Sequence, residues 1–126
     1  MFKNTIIAAL LVGASLLSGC ITDTLTGATI SPQVVQTSEN AIDLSISAAT
    51  AYVALPVCSK TVAMPCRTVA GRKALEKDVA AVQTARNNIQ TLLKANNGGA
   101  IPVANYQTLQ TVYNTLSSDV ALYAGK

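Results

Sequence analysis

Six positions near the carboxyl end constrain the fold most. Tyr106, Leu109, Tyr113, Leu116, Val120 and Tyr123 follow one another at steps of three, four, three, four and three residues. At that spacing side chains share one stripe of an α-helix and can mesh with a neighbouring helix. The Thr, Val and Tyr content of the segment favours β structure, but a half-buried strand would alternate by two. The period decides for a helix over residues 102–124, opened by Pro102. Its Asn and Thr residues are weak helix formers, so packing must hold it.

Two earlier segments carry the same signal. Ser31-Pro32 is a helix start, with serine as cap and proline in the first turn. Val35, Ser38, Ile42, Ser45, Ala49 and Tyr52 then form a stripe, widened by Val34, Ala41, Ala48 and Leu55 and stopped by Pro56. This predicts a helix over residues 31–55 with a seam of small side chains. Leu75, Val79, Val82, Ala85 or Arg86, Ile89 and Leu93 predict another over residues 68–96. Asn96-Asn97-Gly98-Gly99 ends it, because Asn and Gly accept left-handed backbone cheaply. Three amphipathic helices imply an all-α fold, a small antiparallel three-helix bundle spanning residues 31–126. Only five of 126 residues are aromatic, so the core must come from small and aliphatic side chains. The tyrosine seam of the last helix suits the inside of such a bundle or the contact of a homo-oligomer equally well.

Charge and composition exclude several functions. The chain has nine Lys and Arg against six Asp and Glu, too slight an excess for a nucleic-acid surface. It has no histidine, which removes Ser-His-Asp and Cys-His catalysis and the commonest metal ligand. Glu39 and Asp43 share a helix face at four-residue spacing, but neither they nor Glu76, Asp78 and Asp119 fall in a recognisable acid–base arrangement. The chain reads as non-catalytic, with no metal site.

The amino-terminal segment sets the compartment. Lys3 precedes an apolar run from Ile6 to Leu17, followed by Ser18, Gly19 and Cys20. A basic start, a short apolar stretch and small residues before a cleavage point describe a secretory signal peptide. The run is shorter than the roughly 20 residues a membrane-spanning helix takes. Leu17-Ser18-Gly19-Cys20 resembles the lipobox of bacterial lipoproteins. The resemblance covers about the first sixth of the chain. It implies that residues 1–19 are a signal peptide removed before Cys20, that a diacylglycerol is joined to the Cys20 sulfur, and that an N-acyl lipid follows on its amine. No other cofactor is implied. Residues 20–30, Thr-rich and without a helical stripe, then read as lipidated cysteine and flexible tether. Ile21 stands where an aspartate would mark retention at the inner membrane in enteric-type lipoproteins. The resemblance therefore implies a lipid-anchored outer-membrane protein facing the periplasm in a Gram-negative host.

Processing would leave Cys58 and Cys66 as the two thiols of an exported domain. In an oxidising compartment such a pair reads as a disulfide. Closing their nine-residue loop would constrain the unfolded chain by about 2.5 kcal/mol on the loop-entropy model. The spacing is not the Cys-x-x-Cys of thiol oxidoreductases. Around the same loop lie Lys60, Arg67, Arg72, Lys73 and Lys77, with Glu76 the one acid among them. Cations at the start of a helix oppose its dipole, which marks this set as a candidate contact patch for an anionic partner.

These features point to a small cell-envelope lipoprotein with a structural or interaction role, its partners the membrane and either peptidoglycan or an envelope protein. A phage- or plasmid-encoded surface lipoprotein, serving superinfection exclusion, receptor blocking or lysis, has the same composition. A third alternative rests on Lys126. The chain resembles the major murein lipoprotein of enteric bacteria in combining a lipobox, a heptad helix and a final lysine, which in that family is joined to peptidoglycan. It departs from that family in its Pro and Gly breaks and its cysteine loop.

Overall fold

The structure is a computed structural model and describes residues 29–125. The signal segment, Cys20 and Lys126 lie outside the described residues. Strand β1 (Thr29–Ile30) leads into helix α1 (Pro32–Val53). A long loop connects it to α2 (Val69–Ala95), and a short one then leads through strand β2 (Ile101–Pro102) into α3 (Val103–Ala124). The three expected helices are present, each within two residues of its expected ends.

Local chemistry explains the boundaries. Ser31 holds the N-cap position of α1 in extended conformation, without a side-chain capping bond and with proline directly after it, and α1 stops three residues before Pro56. Thr68 caps α2 by accepting a hydrogen bond from the Gly71 amide at 3.0 Å. At the other end of α2, Asn97 and Gly98 take positive φ of 53° and 75°. That turn lets the Gly98 amide reach back to the Leu93 carbonyl at 2.7 Å, closing the helix with a Schellman-type bond.

Each helix buries a heptad stripe. In α1 it is Val35, Ser38, Ile42, Ser45, Ala49 and Tyr52. In α2 it is Gly71, Leu75, Asp78, Val82, Ala85 and Ile89. In α3 it is Tyr106, Leu109, Tyr113, Leu116 and Val120. The direction of packing follows from the pairs that meet. Asp43 and Glu39 of α1 meet Arg86 and Gln90 of α2, whereas Tyr52 meets Thr68. Ser38 bonds Tyr106 Oη at 2.5 Å, and the Tyr52 and Tyr123 rings lie 6.4 Å apart. Helix α2 therefore runs opposite to α1 and α3, which run alongside each other.

Two observations correct the expectations. The stretch read as a tether through residue 30 is structured at its end. Thr29 and Ile30 pair antiparallel with Pro102 and Ile101, and both isoleucines are buried under the bundle. The pairing partner lies at the far end of the sequence, so no local pattern exposes it. In α2 the inward position is Asp78, and Val79 is only half-buried. The seven-residue register running from Leu75 and Val82 takes precedence there over hydrophobicity.

Gly71 stands in that register for a steric reason. A Cβ at this position would sit 2.7 Å from Tyr52 Oη and 2.8 Å from Tyr123 Cδ1. At an exposed helical site alanine would gain about 1 kcal/mol over glycine. Here Gly71→Ala should instead lower stability by about 1–3 kcal/mol through overpacking, read as a lower midpoint in urea denaturation.

Candidate contact surface at the disulfide-closed loop

Residues 54–68 join α1 to α2. That is 15 residues, where helix connections in bundles usually take about 2–8. The loop is ordered by its own contacts. Cys58 and Cys66 are joined, S–S 2.03 Å, with Cys58 exposed and Cys66 buried. Beside the disulfide, the Cys58 amide donates to the Arg67 carbonyl at 2.9 Å and the Arg67 amide to the Pro56 carbonyl at 2.8 Å. The two limbs of the loop are thus zipped at their base. The Thr68 amide donates to Tyr52 Oη at 2.8 Å, tying the exit of the loop to the last turn of α1. At the tip Ser59 forms a small turn with Thr61 and Val62.

The five expected contact cations fall at this end of the bundle but differ in what they do. Arg67 is turned inward and its Nε donates to the Leu55 carbonyl at 2.6 Å, just past the end of α1. Arg72 pairs with Glu76 at 2.7 Å on the exposed face of α2, a pair worth about 0.5 kcal/mol. Lys60, Lys73 and Lys77 are exposed and make no hydrogen bond or ion pair among the described residues. Cations at the start of α2 looked ill placed for its dipole. The fold resolves this, because the carboxyl ends of α1 and α3 lie beside the start of α2. Two negative helix ends there outweigh one positive end.

Most of the described carboxylates meet groups of a neighbouring helix. Glu39 and Asp43 share a face as expected, and both face Arg86: Asp43 at 2.6 Å and Glu39 at 3.7 Å. Glu39 also accepts from Gln90. Asp78 is the polar group that the sequence stripe missed. It is 8% exposed and its Oδ2 has no partner. Burial pushes its carboxyl above the ordinary value of 3.8. Asp119 of α3 acts in the same direction, through a side-chain hydrogen bond and through its charge, while Lys77 partly opposes them. One heptad along α1 and α3 from the Ser38–Tyr106 bond, Ser45 Oγ and Tyr113 Oη are buried without partners. An open groove of about 380 Å³ between α2 and α3 is lined by Ala80, Ala81, Thr84, Ala85, Asn88, Thr108 and Val112, none of them an acid or base. Among the described residues no three metal-ligating side chains gather, and no helix there is long and apolar enough to cross a membrane.

No family model, curated protein or solved structure matches the chain.

The raised Asp78 carboxyl fixes a sign for pH dependence. Between the unfolded and the folded value the native chain holds more protons than the unfolded one, so stability falls as pH rises through that window. Asp78→Asn keeps the shape and removes the charge. It should be more stable than the parent at neutral pH, and the gap should close as pH drops towards 3.8. Thermal melts of both proteins across pH test this, and a gap independent of pH would refute the assignment.

Proposed function

We propose that the chain is a non-catalytic lipoprotein of the bacterial cell envelope, cut before Cys20, held to a membrane by lipid on that cysteine, and making contact through the disulfide-closed loop. The observation that carries this reading is the loop itself. It is about twice as long as the connection requires, yet it is closed by a covalent bond and by hydrogen bonds at its base. Loops of that length on a rigid scaffold are commonly functional.

Position supports the same reading. The chain reaches the bundle at Thr29, which pairs with the segment joining α2 to α3. The loop lies at the opposite end of α1, whose 22 residues span about 33 Å. A lipid on Cys20 would place the loop away from the anchoring membrane, with the helices as a spacer. Two or three acyl chains on one cysteine hold a protein firmly, because each buried methylene contributes about 0.8 kcal/mol.

The anchor is tested by intact mass of protein extracted from native membranes. The expected mass begins at Cys20, carries acyl chains, and gains two alkyl groups only after reduction. A mass that retains Met1, or one cleaved without lipid, ends the lipoprotein reading. The contact is tested with the double variant Lys60→Glu/Lys73→Glu. Both side chains are exposed and make no hydrogen bond or ion pair among the described residues, so the fold does not depend on either charge. Binding to isolated envelope fractions should fall about tenfold or more, and unchanged binding would remove the loop from the contact.

A further inference from the structure

The loop end carries more than charge. Val57, Met64 and Val69 are 45%, 68% and 57% exposed; Val57 and Met64 share the loop with Lys60, and Val69 lies one helical turn before Lys73. Leu122, also exposed, sits on the last turns of α3 at the same end. The one other large apolar side chain exposed to this degree among the described residues is Leu44, in the middle of α1. Exposed apolar side chains and uncommitted cations thus coincide at one end of the molecule. Of the acids towards this end, Glu76 is paired with Arg72, and Asp78 and Asp119 face each other between α2 and α3.

From this coincidence we propose that the loop end docks on an anionic lipid surface. The inference rests on the contact reading above and names the partner's chemistry. A purely polar polyanion would engage Lys60 and Lys73 and leave Met64 and Val57 in water. A bilayer with anionic head groups uses both kinds of side chain. Met64, Val57 and Val69 enter the boundary between head groups and acyl chains, and the lysine stems lie along it with their ammonium groups at the phosphates. Each cation near such a surface adds to the attraction and is screened by salt. The closed loop holds this set in place before contact, so little chain entropy is lost on docking. Arg67, bonded to the Leu55 carbonyl, covers a negative helix end that would otherwise face the lipid phosphates.

The test uses the full-length mature protein mounted by its own anchor on neutral phosphatidylcholine vesicles. A second vesicle population is added, either phosphatidylcholine alone or phosphatidylcholine with phosphatidylglycerol, and tethering is read by energy transfer between lipid dyes. The chain has no tryptophan, so Met64→Trp supplies a single reporter at the loop. Tethering is expected with the phosphatidylglycerol vesicles, with a blue shift of the indole emission of that variant, and both should weaken as salt is raised. Lys60→Glu/Lys73→Glu should reduce tethering about tenfold or more while leaving the thermal melt in place. Met64→Asp, which keeps both cations, should also weaken it. Equal tethering of neutral and anionic vesicles, or none of either, overturns the lipid assignment. If charge-dependent binding to envelope fractions then persists, the contact reading stands and the partner is a wall polymer or a protein. If that binding is absent too, the contact reading falls with it.

Discussion

Tyr52 joins the two parts of this molecule. It is the last buried residue of the α1 stripe, and its hydroxyl accepts from the Thr68 amide where the long loop ends. Its ring lies beside Tyr123 of α3, and its hydroxyl occupies the space that a side chain on residue 71 would need. The helix stripe, the start of α2 and the exit of the loop are thereby set by one side chain. A phenol suits the position because its ring belongs to the apolar seam and its hydroxyl to the polar loop. The geometry of the loop end follows from this junction together with the disulfide.

The core achieves close packing with small residues. Ala41, Ser45 and Ala49 on α1 and Ala85 on α2 are buried in the same core as the Tyr106 and Tyr113 rings of α3. Small side chains on two helices and large rings on the third together fill that core. The polar groups inside are uneven. Ser38 and Tyr106 satisfy each other, whereas Ser45 and Tyr113, one heptad further along, do not. The Asp78 carboxyl adds another buried polar group with an open oxygen. Each such group lowers stability compared with an apolar residue of the same shape. They also restrict which helix faces can pair, since a shifted register would bury more of them unpaired.

Much of this architecture was legible because its signals are local. Steps of three and four, Pro32, Pro56 and the Asn97-Gly98 turn place the helices within two residues. The cysteine pair was legible from its spacing and from the oxidising compartment that the lipobox resemblance implies, and the structure joins it. What escaped depends on contacts between distant segments. Ile30 finds Ile101 across most of the chain, so residues read as tether became a strand. Arg67 looked like a surface cation until the loop folded it back onto Leu55. Asp78 could have been found, since position 78 lies on the register shared by Leu75, Val82 and Ile89. Hydrophobicity alone favours Val79 at that turn, and the helix register decides for Asp78.

The two-residue clip between β1 and β2 has a mechanical consequence. Any tension applied to the chain ahead of Thr29 does not reach α1 alone. It meets Thr29 and Ile30 first, which are hydrogen-bonded to the segment between α2 and α3, with Ile30 and Ile101 wedged under the bundle. Load is divided between the first helix and the hairpin formed by the other two. A molecule held this way yields as a unit, where an unclipped one would unravel from its first turn. The loop at the other end can then keep its shape while the chain leading into the bundle is pulled.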